Sequence, residues 1–266
     1  MLDSPAASLG GEWNMQIDLT GTAVLVTGAS RGIGAAIARA MAGAGARVAV
    51  HYHRQRAPAE ALAAELGAHG EIFQADLSLP EACAGLWNTV RERFGRVHTL
   101  VNNAGIALSS APEAPLDQWV GDWDATLATN LRAPGILSTL AVKHFCAHGG
   151  GRIINISSRA AFRGDQPHYL AYAASKAGLV ALTRSIARGY GKAGVLAFNV
   201  APGFTRTEMA EDFIRQYGEA YASSDIALTR LTEPRDIAPI VVFLASGLAD
   251  HATGCTVDVN AGSYVH

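Results

Sequence analysis

From residue 22 onward the chain alternates short, nearly charge-free β-rich runs with longer segments of helical periodicity. TAVLVTG leads into an Ala-rich segment, ARVAVHY into APAEALAAELGAH, and EIFQAD into a helical stretch over 80–94. VHTLVNN, a helical stretch over 116–148, RIINIS, a helical stretch over 171–192, VLAFNVA and a final TVDVN complete the series. Strands that alternate with helices predict a parallel sheet. Strands with so little internal charge are buried on both faces, so helices must cover each side. The expected architecture is α/β, a doubly wound, mostly parallel sheet of seven strands in one domain over 18–266. The apolar run 237–249 has 13 residues. It falls short of the about 20 that cross a bilayer, so it reads as a buried helix. The irregular stretch 204–232, between the sixth strand and that helix, is the candidate substrate lid. Residues 1–17 have neither a basic start nor an apolar run of signal-peptide type and read as a loose N-terminal arm.

Composition narrows the function. Of 266 residues, 49% are hydrophobic and 17% charged, a balance that supports a full core and excludes a disordered chain. The net charge of −2 gives no overall field for polyanions, so a nucleic-acid partner is not expected. Cys83, Cys146 and Cys255 are far apart and lack metal-ligand spacing, which fits a reducing, cytoplasmic compartment. His51-x-His53 has no further ligand at a supporting distance, so no metal is expected there. The 28 glycines are many for a chain with 7% aromatic residues, and they point to tight turns and close backbone approaches.

The run Thr27-Gly28-Ala29-Ser30-Arg31-Gly32-Ile33-Gly34 follows the first strand and opens a helix. Backbone N–H groups and a helix N-terminus then face one spot, where a diphosphate can bind. The order is Gly-x-x-x-Gly-x-Gly, with Ile37 in the place of the third glycine of the general fingerprint, so a ligand-free turn is also open. Gly28, Ser30 and Gly32 also match a nucleophile elbow. That elbow needs earlier strands and an upstream oxyanion loop, for which this short N-terminal region has no room.

Tyr172 and Lys176 are four residues apart, so a helix places both on one face, where an ammonium favours a phenolate. Moving a tyrosine from ~10 to ~7 requires about 4 kcal/mol of differential stabilisation, which would make it usable as an acid or base. Tyr169 has Ala173 at the same offset and reads as a packing residue.

The glycine turn, Asn102-Asn103-Ala104-Gly105, Asn130, Ser157-Ser158, Tyr172-Ala173-Ala174-Ser175-Lys176 and Pro202-Gly203 occur in the order of the short-chain dehydrogenase/reductase family. The chain resembles that family from Leu19 to about Gly262, and is most similar in character to the 3-oxoacyl-(acyl carrier protein) reductases and related carbonyl reductases. The resemblance implies a Rossmann-type fold and hydride transfer between nicotinamide and a ketone or secondary alcohol. In this pattern Tyr172 is the acid/base, Ser158 bonds the carbonyl oxygen, Lys176 holds the nicotinamide ribose and Asn130 anchors a water. Ser158 lies 14 residues before Tyr172, one more than the pattern, which leaves Ser157 as an alternative.

Asp76 and Leu77 would contact adenine, Asn103, Ala104 and Gly105 would line the middle of the cofactor, and Pro202, Gly203, Thr205 and Thr207 would meet the carboxamide. Thr205 stands where an aliphatic residue is usual, and Asn260-Ala261-Gly262 replaces Asp-Gly-Gly. The second strand ends Tyr52-His53-Arg54 without the acid that would bind a free ribose, whereas Arg31 and Arg54 suit a 2′-phosphate. NADP(H) is therefore the expected cofactor, with NAD(H) second. A sugar, polyol or steroid substrate, or a non-catalytic dinucleotide sensor, are the alternatives; the complete Asn130, Ser158, Tyr172 and Lys176 set argues against the sensor. The resemblance also implies a homotetramer, or a homodimer, paired through the long helices after the fourth and fifth strands.

Overall fold

The computed structural model describes residues 17–208, 210, 215, 218 and 224–265. Seven strands form one sheet: β1 (Ala23–Val26), β2 (Arg47–Tyr52), β3 (Gly70–Gln74), β4 (Thr99–Asn102), β5 (Gly151–Ile156), β6 (Val195–Pro202) and β7 (Thr256–Val259). Their order is β3-β2-β1-β4-β5-β6-β7, and every neighbouring pair is parallel. The order reverses between β1 and β4, so the crevice for a ligand opens beyond the carboxyl ends of these two central strands.

Side chains that alternate along each strand feed two separate cores. Val24, Val26, Val48, Val50, Ile154 and Val200 face α1 (Gly32–Gly43) and α8 (Pro234–Ala245), whose Ile37, Met41, Ile237 and Val241 are fully buried. Leu25, Leu100, Ile153 and Ala197 face the other way, onto α3 (Pro80–Phe94) and α5 (Ala133–Ala147) through Trp87, Val90, Leu137 and Phe145. The expected buried helix over 237–249 is α8; Pro234 and a Glu233/Asp236 capping box start it earlier, and Ser246 ends it. Two short helices, α2 (Arg56–Leu66) and α6 (Ala160–Arg163), and the long α7 (Leu170–Tyr190) complete the layers.

The expected helix over 116–148 is instead α4 (Leu116–Leu127), a π-helical turn Ala128–Arg132, and α5. A π turn inserts one residue into a helix and often sits at a functional position. This one carries Asn130. Ile17 packs against the first core, so the proposed arm begins to join the domain one residue early; 1–16 lie outside the described residues. Much of the candidate lid, 209–223 apart from 210, 215 and 218, also lies outside them.

At the C-terminal turn the departure from Asp-Gly-Gly has a physical cost. Ala261 adopts φ +54°, a left-handed conformation that among the described residues only glycines otherwise occupy. Asn260 holds that turn, accepting from Gly262 N at 3.0 Å and donating to Tyr264 O at 2.9 Å.

At the other end of the sheet, a Cβ on Gly151 would lie 2.4 Å from the Phe145 ring. Gly151→Ala is expected to destabilise the protein by about 1–3 kcal/mol in denaturant unfolding, because a packed core does not yield freely.

Candidate active site

The glycine turn is built by exclusion of side chains. Gly28 and Gly32 have φ of +63° and +54°. A Cβ on Gly28 would lie 2.9 Å from Ala104 Cα, and one on Gly34 would lie 2.3 Å from Gly28 O and 2.5 Å from Asn103 Nδ2. Asn103 holds this approach, donating from Nδ2 to Thr27 O at 2.8 Å and Gly28 O at 3.1 Å. Thr27 Oγ1 accepts from Asn103 N and Ala104 N at 2.9 and 3.0 Å. Arg31 is extended just before α1, and Ser30 and Ile33 are partly exposed on the turn. This cradle fits a dinucleotide diphosphate: backbone lines it, a helix N-terminus points into it, and a side chain would fill it.

On the other side of β4, Asn130, Ser158, Tyr172 and Lys176 come together. Asn130 is fully buried; its Oδ1 accepts from Ile106 N at 2.9 Å, and its Nδ2 donates to Ile106 O at 2.8 Å and Ser175 Oγ at 3.1 Å. Buried Lys176 donates to Ile156 O at 2.9 Å, with Nζ 5.7 Å from the Tyr172 ring centroid. A Cβ on Gly105 would lie 3.2 Å from Lys176 Nζ and 3.4 Å from Asn130 Oδ1, so a glycine separates them at the exit of β4. Ser158 shares a hydrogen bond with Tyr172 and caps the start of α6 by accepting from Ala160 N at 3.1 Å. Ser157, the alternative serine, is buried and points into the sheet, where it donates to Val200 O at 3.2 Å and accepts from Asn199 Nδ2 at 2.8 Å.

Within the protein itself, burial is the largest influence on the Tyr172 phenol. Burial pushes the Tyr172 phenol up; the bond with Ser158 acts the other way, and the charge of Asp165 adds to the rise. Burial lowers Lys176 to about 8, so it stays largely protonated at neutrality. Lys176 directs its ammonium to the Ile156 carbonyl, and in this ligand-free arrangement desolvation outweighs its attraction for a phenolate.

At the adenosine end, Asp76 Oδ1 accepts from Ser78 N and Oγ at 2.9 and 2.7 Å, bonds that hold its carboxyl below the usual range. His53 Nε2 lies 3.4 Å from the other oxygen, Leu77 is buried, and Arg54 is exposed beyond β2. Arg31 pairs with Glu208. Gly203, after Pro202, donates from N to Val259 O at 3.0 Å, and a Cβ there would lie 2.7 Å from Asn260 Cα. Thr205 is buried and donates to Gly203 O at 3.0 Å, while the Thr207 methyl lies against Gly32. Thr205, in the usual aliphatic place, thus uses its hydroxyl to brace the turn that leaves β6. Among the described residues no His, Cys, Asp or Glu group could hold a metal ion, and no helix is long and apolar enough to cross a membrane.

A sheet of this order, with a glycine cradle at the switch and a Ser-Tyr-Lys-Asn cluster beside it, defines a dinucleotide-dependent oxidoreductase. The chain belongs to the short-chain dehydrogenase/reductase family of NAD(P)-dependent oxidoreductases: a model of that family, described as Enoyl-(Acyl carrier protein) reductase, matches residues 28–264. It is 35% identical over 249 residues to the 3-oxoacyl-(acyl carrier protein) reductase of Vibrio harveyi, covering 94% of this chain and 100% of that protein. A Beutenbergia cavernae structure with bound NADP, provisionally described as an NAD(P)-dependent gluconate 5-dehydrogenase, superposes with TM-score 0.86 at 34% identity over 93% of this chain and 98% of that one. The 3-ketoacyl-(acyl carrier protein) reductase of Brucella melitensis, complexed with NADH, has TM-score 0.85 at 28% identity, covering 93% of this chain and all of that one, 100%.

One residue of the site was set aside in the sequence. Buried His51 accepts from Gly28 N at 2.9 Å through Nδ1 and bonds Ala75 O at 3.1 Å through Nε2, so its neutral ring pins the glycine turn to β2 and to the exit of β3. The only hint was its place at a strand end beside an apolar run. Burial, partly opposed by the Ala75 bond, lowers His51 to about 4. The unfolded chain therefore binds a proton from about 6.5 downward that the folded state refuses, and stability falls as pH drops from 6.5 toward 4, by up to about 3 kcal/mol. His51→Leu, which leaves Gly28 N–H without an acceptor, is expected to lose about 1–3 kcal/mol at pH 7 and to flatten this acid limb, read by urea unfolding across the pH range.

Proposed function

We propose that the protein is an NADP(H)-dependent carbonyl reductase that interconverts a ketone and a secondary alcohol, with Tyr172 as general acid and base. The observation that carries this reading is the hydrogen-bonded Ser158–Tyr172 pair with Lys176 beneath the ring and Asn130 beside it. A bound nicotinamide supplies or takes the hydride. Gly28 to Gly34 hold its diphosphate, Asp76 and Leu77 flank adenine, Asn103, Ala104 and Gly105 line its middle, and Pro202, Gly203, Thr205 and Thr207 face the carboxamide. Ser158 donates to the carbonyl oxygen and aligns it with Tyr172. As the carbon gains hydride, Tyr172 gives its proton to that oxygen and becomes a phenolate. Burial keeps the phenol protonated, and the Lys176 ammonium with the positive charge of an oxidised nicotinamide would offset that burial when the phenolate forms. Lys176 stabilises the phenolate and orients the ribose, and Asn130, fixed to the Ile106 backbone, would anchor the water that links Lys176 to solvent.

Arg31 and Arg54, with no acid at the end of β2, favour a 2′-phosphate. The acyl carrier protein reductases at 35% identity support a 3-oxoacyl thioester as substrate; the gluconate dehydrogenase likeness supports a sugar-derived alcohol as the second reading. Three free cysteines fit a cytoplasmic enzyme. Leu116, 75% exposed on α4, and exposed Val120 fit pairing of copies through that helix in a homotetramer.

A ketone panel assayed with NADPH and NADH tests the reading. Tyr172→Phe is expected to lower kcat by ~10²–10⁴-fold without weakening dinucleotide binding. Arg31→Ala is expected to raise the KM for NADPH about tenfold and leave that for NADH unchanged. Full activity in Tyr172→Phe, or equal effects on both cofactors, would reject the corresponding assignment.

A further inference from the structure

Two stretches border the substrate end of the site, 159–168 and 204–232, and one ion cluster joins them. Arg159 follows Ser158 directly, and Arg163 lies one helical turn further along α6. Their Nη1 atoms both donate to the same oxygen, Asp225 Oδ2, at 2.9 and 2.7 Å. The Arg159 side chain is only 14% exposed and that of Arg163 38%. Both ends of the cluster are fixed: Arg159 N donates to Pro202 O at 2.9 Å, Phe162 stacks on Tyr264 at 6.3 Å, and Ala227 N donates to Ala261 O at 2.7 Å.

Among the described residues, two guanidinium groups thus meet one carboxylate in a partly desolvated place beside Ser158. Asp165 is the nearest further acid along the chain, but it makes no ion pair with either arginine; its Oδ1 accepts from Gln166 N at 2.8 Å. A clasp between the two stretches needs only one arginine. Guanidinium is the group proteins favour for binding carboxylates, and here two are held side by side on one carboxylate oxygen.

We infer that Arg159 and Arg163 form a carboxylate-receiving subsite, that Asp225 occupies it in the free protein, and that the substrate is a ketone or alcohol bearing a carboxylate. This rests on the carbonyl reductase reading and narrows it toward keto and hydroxy acids, away from neutral thioesters. Substrate carboxylate replaces Asp225 on the arginines, so Asp225 is a competitor for binding.

The test pairs each of several four- to six-carbon keto acids with its methyl ester and adds a neutral 3-oxoacyl thioester, all with NADPH. The acid is expected to exceed its ester in kcat/KM. Arg163→Gln and Arg159→Gln are expected to lower that ratio about tenfold, the effect of one charge-assisted hydrogen bond, chiefly through KM. Asp225→Asn is expected to raise the ratio. A simple clasp predicts instead that Asp225→Asn loses activity equally toward acid and ester and leaves the ratio unchanged. Preference for the esters or the thioester, or ratios unchanged in all three variants, overturns the subsite. Absence of turnover with every ketone instead defeats the reductase reading; the subsite is then judged by melting temperature with a six-carbon sugar acid against its neutral polyol. A rise with the acid alone, lost in Arg163→Gln, supports it, and equal shifts overturn it.

Discussion

The site depends on a backbone contact at the centre of the sheet. β1 and β4 leave the sheet so close together that neither Gly28 nor Gly34 has space for a Cβ, and Asn103 and Thr27 bond the two exits across the gap. The turn that cradles the diphosphate and the strand end that carries Gly105 are thereby one rigid unit. Lys176 and Asn130 close over Gly105 from the far side. β4 is thus a shared wall between the glycine cradle and the Ser158, Tyr172, Lys176 and Asn130 cluster. The spacing of the two is set by this wall, and in an active site a misplacement of ~1 Å can cost about a hundredfold in rate.

Much of this was legible because the strands are short, apolar and separated by helical periods. Seven candidate strands became the parallel sheet, and the motif order placed the cradle and the cluster at its carboxyl edge. The π turn was hidden, since a single inserted residue leaves the apolar pattern over 116–148 intact. His51 looked like half of a ligand pair because its partners, Gly28 and Ala75, reach it only through the parallel register of β1, β2 and β3. Ser158 was the sequence's choice, with Ser157 as the alternative; adjacent residues leave a strand in opposite directions, and only the register decides which meets Tyr172. The spacing of Tyr172 and Lys176 placed both on one helix face but not how deeply they lie, and burial is what raises the phenol.

The charges at the site are divided by depth. Lys176 and Tyr172 lie deep, where burial raises the energy of an ammonium and of a phenolate alike, so Tyr172 is held neutral while Lys176, lowered to about 8, keeps most of its charge at neutrality. Arg31, Arg54, Arg159 and Arg163 lie nearer the surface and keep their charge in partial contact with water. In the proposed reaction the deep groups would handle the proton and the shallow ones would sort what enters.

The seat of Gly203 on Asn260 joins the end of β6 to residues more than fifty positions later in the chain. The cradle of Gly28 to Gly34 lies within the first 105 residues, yet it too leans on the end of the chain, because α1 packs Ile37 and Met41 against Ile237 and Val241 of α8. Both rims of the crevice, the glycine turn through α8 and Gly203 through the Asn260 turn, are therefore held by residues 234–262, so a change in that last segment is felt at the first turn of the chain.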